Sequence, residues 1–224
     1  MSALRIYDVE QRSPEWFAAR CGIITASSVG KLVTPRTIKP ASNDDSRGLV
    51  SLLASERVTG IVEDTYTSSD MWRGIMAEPF ARDLYGEHHA AAVECGFMVR
   101  QFDGFKIGYS PDGLVGDDGL IEVKAPRQKG HLATVVADAV PLVHMAQLQT
   151  GLVVSGRAWI DFVSYTGGMP LWVRRVVPDV RWRAAILQAA EDAEKAIRET
   201  VATYQAAVVG LPATERIDFN LEVI

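Results

Sequence analysis

Two acids and a lysine, joined by a short segment of turn and strand, have the residue types and spacing of a metal site. Asp112 follows Pro111, and about ten residues later the chain carries Glu122, Val123 and Lys124. Alternate side chains of a strand share one face, so the side chains of Glu122 and Lys124 are expected on one side. The side chain of Val123 then projects into the core, and its carbonyl stays near the same edge.

This arrangement suits a hard divalent cation. Carboxylate and carbonyl oxygens are the ligands that Mg²⁺ or Mn²⁺ prefers, with water and substrate phosphate completing the coordination. We therefore predict Asp112, Glu122 and the Val123 carbonyl as metal ligands, with Lys124 beside the bound water. The alternative is a structural role, in which Asp112 is a turn residue and Glu122 and Lys124 form a solvated cross-strand pair.

Three segments carry a family resemblance. Residues 108–126 (GYSPDGLVGDDGLIEVKAP) contain the pattern of the PD-(D/E)xK nuclease superfamily. Residues 16–33 (WFAARCGIITASSVGKLV) and 145–156 (MAQLQTGLVVSG) resemble the lambda exonuclease and YqaJ-like viral recombination nuclease family. The acid and lysine spacing alone is weak, whereas the ordered set is specific. The resemblance implies an α/β fold with a restriction-endonuclease-like core, a mixed β-sheet flanked by helices.

The resemblance also implies a third carboxylate. Residues 72–85 (WRGIMAEPFARDLY) resemble the family's first helix, whose glutamate reaches the metal site, and this matches Glu78. The residues themselves predict a helix from Asp70 to near Gly86, with Pro79 removing one helical hydrogen bond. Without the downstream acids, an exposed helix acid is the ordinary interpretation of Glu78.

An anion site is predicted near the amino terminus. Ser13 caps a short helix that ends near Gly22, and Thr25 is a plausible cap for a second one, residues 25–33. Free N–H groups, hydroxyls and the guanidinium of Arg20 suit a phosphate. The resemblance implies that Arg20 and Ser27 hold the 5′-phosphate of a DNA end. The alternative is a set of helix caps and a surface arginine.

A helix over residues 142–154 carries two glutamines. Gln147 and Gln149 are separated by about 200° of rotation, so both cannot face one site. The resemblance assigns Gln147 to orient Lys124 or the scissile phosphate, with Gln149 as the fallback. The basic residues Arg127, Lys129 and His131 either line a DNA track or form a solvated polar face.

The remaining pattern predicts a single domain, residues 1–224. Alternation and turn signals predict a meander, and two later strands that extend the same sheet. These strands are at residues 93–100, 105–109, 119–124, 159–165 and 171–177. A long helix over 179–209 is expected to pack on the domain or on a neighbouring subunit, and the end of the chain, NLEVI, could pair with another chain.

Composition limits the function. The chain has 224 residues, of which 48% are hydrophobic, and this suffices for one sizeable core. Its formal net charge of −5 means that a DNA enzyme needs a local basic track. Without a signal peptide pattern or a long apolar run, we expect a cytoplasmic protein and no membrane partner. Cys21 and Cys95 lack the spacing of a zinc site or iron–sulfur cluster.

The resemblance implies a Mg²⁺-dependent 5′-to-3′ exonuclease that acts on double-stranded DNA ends and leaves 3′ single strands. Mn²⁺ is expected to substitute, with one or two ions per site. The partners implied are a single-strand annealing or recombinase protein and two further copies in a ring-shaped homotrimer, encoded by a phage or prophage. Two alternatives stay open: a structure-selective or sequence-specific endonuclease of the same fold, and a catalytically inactive DNA-end-binding module.

Overall fold

The computed structural model describes residues 3–62 and 68–216. Its helices are α1 (Pro14–Arg20), α2 (Asp44–Thr59), α3 (Ser69–His88), α4 (Gln128–Ala137), α5 (Leu142–Ser155) and α6 (Val180–Ala207). Its first five strands are β1 (Ala3–Tyr7), β2 (Ile24–Thr25), β3 (Val33–Thr34), β4 (Lys39–Pro40) and β5 (Phe97–Gln101). The others are β6 (Lys106–Tyr109), β7 (Gly113–Val115), β8 (Gly119–Lys124), β9 (Trp159–Ser164) and β10 (Trp172–Val176).

The described strands form two four-stranded mixed sheets and a small hairpin. The first sheet has the order β1-β5-β6-β2 and the second the order β10-β9-β8-β7, while β3 pairs with β4. Each large sheet contains one parallel pair, β2 with β6 and β8 with β9, and its other pairs are antiparallel. The predicted α/β class, with mixed sheets and flanking helices, is confirmed.

The predicted single meander is wrong, because it divides between the two sheets. β5 and β6 form a hairpin in the first sheet, whereas β7 and β8 form one in the second. The chain leaves the first sheet at Tyr109 and enters the second at Gly113. Pro111 lies between them and has no N–H to donate to a ladder, so one continuous strand pairing cannot pass through this position. The later strands β9 and β10 extend the second sheet, as predicted.

Helix α5 connects the two sheets through the core. It contacts β5 and β6 of the first sheet and β9 of the second. Leu148 and Leu152 are buried in one cluster with Ile107 of β6 and Phe162 of β9. The polar residues of α5 therefore have fixed positions relative to strands of both sheets.

The long carboxy-terminal helix confirms its predicted bounds to within two residues. Asp179 caps α6 by accepting the N–H of Arg181. Glu194 of α6 accepts two hydrogen bonds from Arg57 of α2, at 2.8 and 2.7 Å. Helix α6 therefore packs on α2 of its own chain, and packing on a neighbouring subunit stays a prediction. The strand-like segment 220–224 lies outside the described residues.

The predicted helix over residues 25–33 is wrong. Ile24 and Thr25 form β2, parallel to β6, and a 3₁₀ turn over Val29–Lys31 leads to β3. Isoleucine, threonine and valine are β-branched and favour extended backbone. The neighbouring β6 supplies the pairing that stabilises this conformation.

No single helix in the described ranges is long and apolar enough to cross a membrane. Helices α4 and α5 reach the length and hydropathy of a membrane span only when they are taken together, and they are bent by 78° relative to each other. Many side chains of α5 are buried within the protein, among them Leu148, Leu152, Val153 and Val154.

Two glycine substitutions test the packing with opposite signs. A Cβ on Gly96 would lie 2.2 Å from the carbonyl oxygen of Tyr7 and 2.7 Å from that of Val9. Gly96→Ala should lower the free energy of unfolding by about 1–3 kcal/mol, because backbone atoms must move. A Cβ on Gly48, inside α2, meets no described heavy atom within 4 Å outside its own helix. Gly48→Ala should raise stability by about 0.5–1 kcal/mol. Urea unfolding followed by circular dichroism measures both, and effects of equal sign would contradict this packing.

Candidate active site

Asp112 is fixed at the junction of the two sheets. Its backbone carbonyl accepts a hydrogen bond from Arg82 at 2.6 Å, and the carbonyl of Pro111 accepts one from Gln11 at 2.9 Å. The Asp112 carboxylate accepts the N–H of Val123 in β8, with a nitrogen–oxygen distance of 2.6 Å. The β6–β7 connection is therefore held from three directions, and Asp112 faces β8.

Glu122 is a buried carboxylate with three donors. Only 2% of the residue is exposed. Its Oε1 accepts from Lys124 Nζ at 2.8 Å and from Gln147 Nε2 at 2.5 Å, and its Oε2 accepts from the hydroxyl of Tyr109 at 3.0 Å. The lysine side chain is 26% exposed. This burial rules out the solvated cross-strand pair that the sequence left open.

The backbone of Val123 has the orientation that a ligand carbonyl needs. Its side chain is buried with Ile121 and Val163, as predicted. Its N–H points to Asp112, while the carbonyl of the next residue, Lys124, accepts the N–H of Tyr165 beyond β9. The N–H and C=O of a strand residue point to the same side and alternate along the strand. The Val123 carbonyl therefore points toward the Asp112 side.

Glu78 lies on α3 and faces two arginines. Its Oε2 pairs with Arg12 and its Oε1 with Arg82, each at 3.2 Å. Arg82 bonds both this acid and the backbone carbonyl of Asp112, so the third predicted carboxylate is connected to Asp112 through one arginine. Helix α3 continues through Pro79, and the proline does not end it.

The electrostatics of this cluster favour a cation. Burial raises the pKa of Asp112 well above its usual range, and the negative charges of Glu122 and Glu78 raise it further. Burial disfavours the charged form of Lys124, but Glu122 and Asp112 outweigh it and raise the pKa of this lysine. Lys124 is therefore an ammonium at neutral pH. Because Glu78 is already paired with Arg12 and Arg82, the single charge of Lys124 is shared by the two remaining carboxylates, Asp112 and Glu122.

The donor set fits a hard divalent cation. Asp112, Glu122 and the Val123 carbonyl offer oxygen atoms, which Mg²⁺ and Mn²⁺ prefer. Within the described ranges, no three His, Cys, Asp or Glu side chains are arranged to hold a metal ion by themselves. The reason is that Glu78 faces its arginines, while the oxygens of Glu122 accept from protein donors. The excess negative charge around Asp112 is the feature that a cation would stabilise.

The predicted phosphate residues line a cavity of about 190 Å³, which we call the end cavity. Arg20, Ser27 and Gln147 contribute to its wall, and so does Tyr109, which holds Glu122. The guanidinium of Arg20 stacks 4.2 Å from the ring centroid of Trp16. Burial lowers the pKa of Arg20, as expected for a guanidinium withdrawn from water. The structure therefore brings the predicted anion site and the predicted glutamine to one cavity beside the carboxylates.

The two glutamines of α5 have different partners. Gln147 donates to Glu122, and this differs from the expected contact with Lys124 or phosphate. Gln149 is buried, donates to the Val177 carbonyl at 2.8 Å and accepts the N–H of Asp179 at 2.9 Å. Gln149 therefore connects α5 to the start of α6, and only Gln147 faces the site.

Sequence reasoning missed Tyr109 and Arg82. Tyr109 is buried, and burial together with Glu122 and Asp112 raises its pKa well above the usual range, so its hydroxyl remains a donor. Tyr109 lies three residues before Asp112, and this closeness in sequence could have identified it as a residue of the site. Arg82 lies four residues after Glu78, the helical spacing at which oppositely charged side chains pair. His131, by contrast, is fully buried and bonds Ser164, so both predictions for this residue, a place in a DNA track or on a solvated polar face, are wrong.

A family model described as a YqaJ-like viral recombinase domain matches residues 15–158, more than half of the chain. The chain belongs to this family. The matched range contains all the residues predicted for the site. The predicted family resemblance is thereby confirmed. No curated protein matches the chain significantly.

Two solved structures extend the comparison. The chain is similar to an alkaline exonuclease, LHK-Exo, from Laribacter hongkongensis, with 30% identity and a TM-score of 0.78. The similarity covers 89% of this chain and 100% of that one, and the Laribacter protein has also been solved in complex with dAMP. A phage-related exonuclease from Haemophilus somnus has 16% identity and a TM-score of 0.62, over 81% of this chain and 96% of that one. This second likeness shows the fold alone.

The effect of Asp112→Asn on folding stability tests whether the negative charge of Asp112 destabilises the folded protein. The Asp112 carboxyl has a higher pKa in the folded protein than in the unfolded chain, so the folded state loses stability as pH rises above about 4 and through the raised pKa. The amide still accepts the Val123 N–H and removes the charge. In EDTA at pH 8 we expect the variant to be about 1–3 kcal/mol more stable, equivalent to a Tm several degrees higher.

The difference in Tm should shrink near pH 4, and Mg²⁺ should raise the Tm of the wild type more than that of the variant. Asp83→Asn, an exposed acid on α3, is the matched control and should change stability by less than about 0.5 kcal/mol. A lower Tm for Asp112→Asn at pH 8 would contradict the charge argument. Differential scanning calorimetry across pH provides the measurement.

Proposed function

We propose that this protein is a Mg²⁺-dependent 5′-to-3′ exonuclease that digests one strand of double-stranded DNA from its ends and leaves 3′ single strands for recombination. Its class, a DNA exonuclease and hence a hydrolase, is supported by the family match and by 30% identity to an alkaline exonuclease. The observation that carries the proposal is the position of Gln147. It bonds the buried Glu122 and also lines the end cavity with Arg20.

In this proposal Asp112, Glu122 and the Val123 carbonyl hold the metal, and Glu78 is the third carboxylate. Mg²⁺ is the expected ion, Mn²⁺ substitutes, and one or two ions bind per site. A bound ion supplies Lewis-acid stabilisation of the phosphate and makes water more acidic. Tyr109 and the other donors to Glu122 orient its oxygens toward fixed positions.

Lys124 positions the attacking water rather than taking a proton from it. Its ammonium, held 2.8 Å from Glu122, places a positive charge beside the scissile phosphate and donates hydrogen bonds to the attacking water. The raised pKa of this lysine disfavours the neutral amine that a general base requires. The residue therefore stabilises charge that develops in the transition state.

The end cavity gives the enzyme its preference for ends. Arg20 and Ser27 are proposed to bind the terminal 5′-phosphate, since a guanidinium and a hydroxyl form strong, charge-assisted hydrogen bonds with phosphate oxygens. The cavity adjoins the carboxylates through Gln147 and Tyr109. A strand whose 5′ end occupies it has its next phosphodiester bond near Glu122.

A ring-shaped homotrimer is the proposed assembly, with a single-strand annealing or recombinase protein as partner, in a bacterial cell that carries a phage or prophage. Exposed apolar side chains support subunit contacts. On α3, Trp72, Met76 and Phe80 recur at four-residue spacing along one face, and each is more than half exposed. Sedimentation equilibrium measures the mass of the assembly.

Arg20→Gln should remove the preference for phosphorylated ends. Losing a charged hydrogen bond to phosphate costs about 1.5–3 kcal/mol, which lowers kcat/KM on 5′-phosphorylated duplex about 10- to 150-fold. Digestion of 5′-hydroxyl duplex should change little. Arg36→Gln removes the same charge from an exposed loop position and serves as control. An unchanged ratio of the two rates in Arg20→Gln would contradict the assignment.

The reaction itself is tested with linear duplexes and covalently closed circles, in Mg²⁺ or EDTA. We expect Mg²⁺-dependent loss of the 5′-ended strands and intact circles. Lys124→Met should lower kcat about 10²- to 10³-fold, whereas Lys195→Met, exposed on α6, should not. Cleavage of the circles would contradict the exonuclease proposal and support an endonuclease. If ends are bound but never cut, the carboxylates have a structural role and the proposed mechanism is wrong.

A further inference from the structure

A second concave surface opens next to the carboxylates. This basic groove encloses about 510 Å³. It is lined by Arg73 and Ala77 of α3, by residues 125–129, which follow β8 and include the start of α4, and by residues 165–167 after β9. The wall is internally fixed, because the Thr166 hydroxyl donates to the Pro126 carbonyl at 2.7 Å.

The basic groove and the end cavity both border the predicted site. Ala77 precedes Glu78 and Ala125 follows Lys124, so residues next to two site side chains line the basic groove. Tyr109 and Gln147, which hold Glu122, line the end cavity instead. Both concave surfaces therefore adjoin the carboxylate site, each through different residues.

The charge of the basic groove is opposite to that of the whole chain. Arg73, Arg127 and Lys129 line it, although the formal net charge of the protein is −5. The side chains of Arg73 and Arg127 are 38% and 69% exposed. Both arginines pair with Asp70, at 3.4 and 2.8 Å, and this acid is itself 59% exposed. Exposed ion pairs of this kind contribute little, so a phosphate can compete with Asp70 for the guanidinium groups.

The amino terminus of α4 adds to this field. Arg127 is its N-cap residue and makes no side-chain capping hydrogen bond. The free N–H groups of the first turn carry the positive end of the helix dipole toward the same groove. Guanidinium, ammonium and helix dipole together favour a polyanion.

We propose that the basic groove binds backbone phosphates of the digested DNA strand on the 3′ side of the scissile bond. This inference rests on the proposed function. If the 5′ end occupies the end cavity and the scissile phosphate lies at the carboxylates, the strand continues away from the end cavity. The basic groove is a positively charged surface that borders the neighbours of Glu78 and Lys124. Asp70 competes with the phosphates that bind there.

The test is equilibrium binding to a 5′-phosphorylated linear duplex, with Ca²⁺ in place of Mg²⁺, over a range of salt concentrations. Arg127→Gln/Lys129→Gln should weaken binding about tenfold or more near 0.1 M salt. It should also reduce the slope of log K against log salt by about 1 to 2. Asp70→Asn should act in the opposite sense and tighten binding several-fold, because it removes the competing anion.

Arg181→Gln/Lys195→Gln is the matched control, since it removes the same charge from exposed side chains on α6. Its salt slope should equal that of the wild type. Circular dichroism and Tm verify that each variant is folded.

The outcomes separate the two proposals. If the wild type digests DNA ends but Arg127→Gln/Lys129→Gln keeps its affinity and salt slope, the basic groove is not a DNA contact and the exonuclease proposal stands. Weaker binding by Asp70→Asn would likewise overturn competition at the groove. If the wild type digests no ends in Mg²⁺, the proposed function fails, and the strand path inferred from it fails too.

Discussion

The carboxylate of Glu122 is buried, and its need for hydrogen-bond donors fixes the positions of the strands and the helix around it. A carboxylate without partners is costly inside a protein, so burial requires donors in fixed places. Here they come from three elements: Tyr109 of β6, Lys124 of β8 and Gln147 of α5. Because β6 and β8 belong to different sheets, satisfying one side chain sets the relative position of both sheets and of the helix between them.

The surrounding residues hold that arrangement at a distance from the chemistry. Gln11 and Arg82 fix the backbone at Pro111 and Asp112, and Gln149 connects α5 to the start of α6. The cluster retains excess negative charge, which disfavours the folded state at neutral pH. Such strain is typical of sites that bind cations, and the apolar core compensates for it.

An acidic protein can act on DNA if its positive charge is local. Arg20 lies in the end cavity, and Arg127 and Lys129 line the basic groove, and both surfaces adjoin the carboxylates. Few phosphate contacts mean weak binding with a shallow dependence on salt, because the slope scales with the number of phosphates neutralised. In the proposed function, recognition depends on the strand end reaching the end cavity, and a ring around the duplex would add retention without affinity.

Features that depend only on neighbouring residues, such as helix bounds and the face of a strand on which a side chain lies, can be predicted from the sequence alone. The spacing of Glu122 and Lys124 placed them on one face of a strand, and capping and periodicity gave α1 and α6 nearly their observed bounds. The family motifs gave the fold class and proposed the site residues. Two-residue spacing also showed that Gln147 and Gln149 point apart, but not which one faces Glu122.

Whether Gln147 or Gln149 contacts Glu122 follows from the tertiary structure alone, because it depends on which face of α5 is turned toward β8. The same holds for the hydrogen bond from Tyr109, the arginines around Glu78 and the burial of His131. Residues 25–33 form β2 and a 3₁₀ turn rather than a helix because β6 lies alongside. Local propensity is worth a few tenths of a kcal/mol per residue, and strand pairing and packing between distant segments outweigh it.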